Sequence, residues 1–70
     1  MKYLENWHFP HYAKRYFSHG MKDWSFVSVG EDEYAILQTT PAGELKVAAR
    51  CSANTAIEAK SIFCKIARGV

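Results

Sequence analysis

Three histidines, two cysteines and a group of carboxylates are the residues in this sequence of 70 whose chemistry could extend beyond packing. His8 and His11 stand in His-x-x-His spacing across Phe9-Pro10, and His19 is the third imidazole. With Cys51 and Cys64 they complete a formal two-histidine, two-cysteine inventory for zinc. A structural zinc site normally draws one pair of ligands from a short knuckle, whereas these cysteines are separated by twelve residues. Both fit equally well as small, reduced, partly buried hydrophobes. Thiol catalysis would need one of them beside an oriented histidine and opposite an oxyanion hole, and no local spacing provides that arrangement. Asp23, Glu31, Asp32 and Glu33 supply carboxylates, but they cluster where turns are expected. Solvent there removes the burial or pairing that tunes a catalytic acid and base apart. Gly20, Gly30, Gly43 and Gly69 are isolated, so no glycine-rich phosphate loop exists. The expectation is a protein that is not an enzyme and holds no metal and no cofactor.

The elements that position these residues are readable from periodicity. Phe9, Ala13, Tyr16 and Phe17 recur at helical spacing between Pro10 and Gly20, which predicts a helix from about Pro10 to His19 with an aromatic face. Trp24 to Val29 predicts a strand, with Trp24 and Phe26 facing opposite to Val27 and Val29. Gly30-Glu31-Asp32-Glu33 turns the chain into a second strand, Tyr34 to Thr39. Thr40-Pro41-Ala42-Gly43 has the residues of a tight turn. A third strand, Glu44 to Cys51, alternates Leu45, Val47, Ala49 and Cys51 against Glu44, Lys46, Ala48 and Arg50. A last helix starts at either Ser52 or Thr55, where Thr55-Ala56-Ile57-Glu58 has the spacing of a capping box, and its stripe Ala56, Ala59, Ile62, Phe63, Ile66, Ala67 and Val70 is apolar.

These elements predict an α+β fold: one domain over residues 1–70, α-β-β-β-α, with a three-stranded antiparallel meander packed against helices. A chain this short buries only about 60% of the surface its unfolded form exposes, so a deep cleft for a large cofactor would consume most of its core. Strands one and two are apolar on both faces. One side of the sheet is expected to bury a helix and the other to expose aliphatic or aromatic surface.

Hydrophobic residues make up 49% and charged residues 23% of the chain, which fits a folded globular protein. The formal net charge of +2 is small but unevenly spread. Lys2, Lys14, Arg15 and Lys22 outweigh Glu5 at the start, the segment from Asp23 to Glu33 is acidic, and Lys46, Arg50, Lys60, Lys65 and Arg68 outweigh Glu44 and Glu58 thereafter. No stretch approaches the roughly 18 apolar residues of a membrane span, and Met1 to Pro10 lacks the apolar run of a signal peptide. A cytoplasmic protein with no membrane partner and with reduced thiols is expected.

The element order, helix, three antiparallel strands, helix, resembles that of double-stranded RNA-binding domains. In that family a lysine-rich motif opens the final helix and grips phosphates across a groove. Here the corresponding stretch, Ser52-Ala53-Asn54-Thr55-Ala56-Ile57-Glu58-Ala59-Lys60, holds one lysine and a glutamate, so the resemblance extends to topology and not to the phosphate grip. A less specific nucleic-acid reading remains as an alternative. Lys14 and Arg15 with Tyr12 and Tyr16, or Lys46 and Arg50 on strand three, combine charge with stacking surface for single strands or RNA. Lys60, Lys65 and Arg68 would extend such a patch.

Binding to another protein is the leading expectation. An aromatic content of 14% is high for so small a chain, and rings not used in the core are the residues from which interfaces are assembled. Trp7, Tyr12, Tyr16, Trp24 and Tyr34 are the candidate anchors. The expected role is that of a small regulator or inhibitor. Exposed sheet edges offer a route to a homodimer or to a structural subunit of a homo-oligomer.

Overall fold

The computed structural model describes residues 2–4 and 9–69. The chain runs through β1 (Lys2–Leu4), α1 (His11–Ser18), β2 (Asp23–Gly30), β3 (Glu33–Thr39), β4 (Leu45–Ser52) and α2 (Ala56–Arg68). The strands form one antiparallel sheet in sequence order, and both helices pack on one side of it, giving an α+β fold. The three expected strands and two expected helices are present within a residue or so of their predicted ends. The sheet, however, has four strands and not three. Lys2–Leu4 pairs antiparallel with Ser28, Val27 and Phe26, which makes β2 an interior strand and leaves β1 and β4 as the edges.

Local chemistry explains the boundaries. The Pro10 carbonyl accepts the amides of Ala13 and Lys14, both at 3.1 Å, so α1 starts directly after a residue whose fixed φ already suits the entry. The Thr40–Glu44 turn closes with the Gly43 amide on the Thr40 carbonyl at 2.8 Å, and Gly43 takes φ +87°, a conformation that a Cβ would strain. The expected capping box opens α2. The Thr55 hydroxyl accepts the Glu58 amide at 3.1 Å, and the Glu58 carboxylate reaches back to the Asn54 amide at 3.4 Å. Gly69, at φ +80°, terminates the helix with its amide on Ile66 and Lys65 carbonyls.

The core lies between the sheet and the helices. Phe63 is fully buried and meets Phe9, Phe17 and Phe26 at ring separations of 6.4, 5.9 and 5.8 Å; Phe9 in turn packs edge-on against Trp24 and Phe26. Ala13 and Ala59, with no exposed surface, lie on the inner sides of α1 and α2, where a larger side chain would force the layers apart. Aromatic rings bury much area per residue, which suits a chain with room for only one core.

Strand β4 departs from the alternation expected of it. Ile36 pairs with Ala49 but Leu37 pairs with Val47, so Ala48 is the extra residue of a β-bulge. Side chains alternate with a period of two, and an inserted residue reverses the phase beyond it. Ala49 and Cys51 therefore pack with the helix-side core, while Val47 and Leu45 sit opposite Leu37 and Thr39 on the other face. The four residues that alternation puts in one row are split between the two sides of the sheet.

Candidate functional site

The face of the sheet opposite the two described helices is apolar at its centre. Val27, Ala35 and Leu37 form a second buried cluster there, with Val29 packed against it. Cross-strand pairing puts Tyr3 opposite Val27, and Val47 opposite Leu37. Tyr3 and Leu45 are each 62% exposed and Val47 is 49% exposed. At one end of this face Arg50 approaches Glu33 at 3.5 Å, both side chains well solvated. That pair contributes little to stability but rims the apolar centre with charge. The strand edge beside it is poorly suited to accept another strand, because the Ala48 bulge interrupts the pairing pattern and Lys46 and Arg50 are both exposed on β4.

A different surface lies on the helix side. Tyr12, Arg15, Tyr16 and His19 from α1 and the residue after its end, with Ala67 from the last turn of α2, line a shallow groove of about 490 Å³. The Arg68 guanidinium sits 5.1 Å over the Tyr12 ring, a cation–π contact that orders a long side chain. The Tyr12 hydroxyl is buried and has no hydrogen-bond partner among the described residues. Tyr16 is 53% exposed, its ring set edge-on to Phe17 at 5.0 Å. Among the described residues no carboxylate lines the groove.

The candidate anchors named from the sequence fall in different places. Tyr12 and Tyr16 come together in the groove. Trp24 is 8% exposed and belongs to the core, and Tyr34 is partly buried, stacked on Phe26 at 5.9 Å, so neither presents a free ring at the surface. Trp7 lies outside the described residues, as does His8. Of the candidate basic residues, Lys14 and Arg15 are on α1 and Lys60, Lys65 and Arg68 on α2, which makes the helix layer basic, with Glu58 as the only acidic residue on the two helices. Lys46 and Arg50 are on β4, Arg50 on the opposite side of the sheet. Sequence reasoning passed over Tyr3, Leu45 and Val47, because the bulge that turns two of them outward leaves no compositional mark.

His11 and His19 are exposed at the two ends of α1, while Cys51 on β4 and Cys64 on α2 are free and half-buried. Among the described residues no group of three or more histidine, cysteine or acidic side chains is placed to hold a metal ion. Burial, with Glu58 as a further cause, pushes the Cys51 thiol above its ordinary value. Asp23, Glu31, Asp32 and Glu33 are all exposed. Among the described residues no helix is long and apolar enough to cross a membrane. No protein-family model, curated protein or solved structure matches the chain.

Proposed function

We propose that this chain acts without catalysis, as a small cytoplasmic regulator or inhibitor that binds another protein with the helix-free face of its sheet. The observation that carries this reading is the buried apolar cluster Val27, Ala35 and Leu37 on the side of the sheet opposite the two described helices, flanked by exposed Tyr3, Val47 and Leu45. A half-buried antiparallel sheet normally turns polar residues to its solvent side, so the exposed Tyr3, Leu45 and Val47 around this buried cluster call for a partner. The ion pair at one end gives the patch the charged rim of an interface. Docking is face-on, because the bulge and the two cations of β4 oppose strand addition at that edge.

Leu45→Asp combined with Val47→Lys tests the reading. Both residues are exposed and lie outside the helix-side core, so the folded state should survive, as circular dichroism and thermal unfolding will show. Burial of the two side chains in an interface is worth at least about 3 kcal/mol, roughly a hundredfold in affinity. Tagged wild-type protein should capture a defined partner from its native host, and the double variant should lose it. Equal capture by both proteins would remove this face from consideration. A wild-type dimer in sedimentation that the double variant disperses would identify the partner as a second copy of the chain.

A further inference from the structure

We infer that the groove between α1 and the last turn of α2 is a second binding site, one that takes a nucleotide unit through its base and its phosphate. This goes beyond the sheet-face reading and uses the opposite side of the molecule. Arg15 and His19 line the groove and Arg68 borders it on Tyr12. Among the described residues none of the three has a carboxylate within ion-pair distance, so none of those residues neutralises the charge that the site presents. Cations near a helix C-terminus are favoured by the helix dipole. That accounts for Arg15 and Arg68 in the last turns of their helices, but not for the exposed Tyr16 ring that lines the groove with Arg15 or for the groove itself.

The aromatic residues supply the second half of the recognition. Tyr16 offers a half-exposed ring steadied edge-on by Phe17, and a flat base can stack on such a ring whatever its identity. Tyr12 is covered by Arg68, and this stacked guanidinium is held in place before any ligand arrives, which lowers the cost of ordering it against a phosphate. The unpartnered Tyr12 hydroxyl is a polar group in the same wall whose hydrogen bonding the fold leaves unmet. Beyond the groove the two helices also carry Lys14, Lys60 and Lys65, and their only acidic residue, Glu58, is in the first turn of α2, its carboxylate on the Asn54 amide. A strand continuing beyond the bound nucleotide would therefore meet positive surface, which favours single-stranded nucleic acid as the source of the unit, with a free nucleotide sharing the same chemistry.

Fluorescence anisotropy with a labelled single strand of about ten uridines, competed by adenosine monophosphate, inorganic phosphate and poly-glutamate, tests the assignment. Saturable binding of the strand is expected, weakening about tenfold between 50 and 200 mM salt if two or three phosphates are neutralised. Tyr16→Ala should weaken it about tenfold through lost stacking, and Arg15→Ala with Arg68→Ala should lower both affinity and salt dependence. Leu45→Asp with Val47→Lys should leave it unchanged, so that failure here and failure of the sheet-face reading are told apart. Binding of the mononucleotide but not the strand would support the site with a free nucleotide as its ligand. The inference is overturned if neither binds, if poly-glutamate or inorganic phosphate competes as well as the nucleotides, or if Tyr16→Ala binds like the wild type.

Discussion

Single residues on this chain owe their properties to which side of an element they fall on. Cys51 points from β4 toward the helix-side core and lies within the influence of Glu58 at the start of α2; desolvation first, and the carboxylate second, hold its thiol protonated. The thiolate is the reactive form. At pH 8, Cys51 should therefore be alkylated by iodoacetamide more slowly than the cysteine of an unstructured peptide, with the pH profile of the rate displaced upward. Glu58→Gln removes the charge but keeps a side chain able to serve the capping box, and it should speed the modification of Cys51, as peptide mapping by mass spectrometry will read. An unchanged rate would leave desolvation as the sole cause. Tyr16 and Phe17 make the same point about position. Helical periodicity put both on the aromatic face of α1, and the chain buries Phe17 while leaving Tyr16 half in solvent. A residue's step of about 100° around a helix separates the centre of the buried stripe from its rim. Spacing alone identifies the shared face but not its width, which is why Tyr12 and Tyr16 could be named as binding candidates while Trp24 and Tyr34, equally aromatic, turned out to serve the core.

Elements differ in how openly their sequences declare them. The second helix is announced at both ends, by Thr55 and Glu58 and by Gly69, and each of these residues makes the backbone contact its type suggests. Thr55→Ala removes the acceptor for the Glu58 amide and should cost about 1 kcal/mol of stability, measured as a lower urea midpoint at constant slope; Thr55→Ser should retain most of it. Two features carry no such announcement. Strand β1 is three residues long, too short for alternation to register, and it is defined by its pairing with β2 at Phe26 to Ser28. The Ala48 bulge is invisible for a different reason. Leu45, Val47, Ala49 and Cys51 alternate without a break in the sequence, and only the pairing with β3 shows that the phase reverses. Alternation specifies a face only while the register is continuous. The candidate sheet-face site was therefore half legible: strands with two apolar faces pointed to an open apolar side, but the outward turn of Leu45 and Val47 depends on pairing between strands far apart in sequence.

For the molecule as a whole, the division of labour between the two sides of the sheet matters most. Acidic residues gather on strands and turns, where Asp23, Glu31, Asp32 and Glu33 are all exposed, while the helix layer carries five basic residues and Glu58 alone against them. Even the shortest principal extent of the molecule is 19 Å, about two Debye lengths at physiological ionic strength. Charges on one side are therefore largely screened from a ligand on the other, and substitutions that share no contacts act additively. If both proposed sites operate, a complex of the chain with its protein partner should still bind the single strand with an affinity within about twofold of the free chain's. Leu45→Asp with Val47→Lys should lose the partner and spare the strand, and Tyr16→Ala should weaken the strand about tenfold and spare the partner. Titrating labelled strand into the preformed complex and into each variant measures all four corners of this cycle. A strand affinity that changes more than about fivefold when the partner binds would show that the small core transmits strain between its two sides, or that the partner itself reaches around to the helix layer.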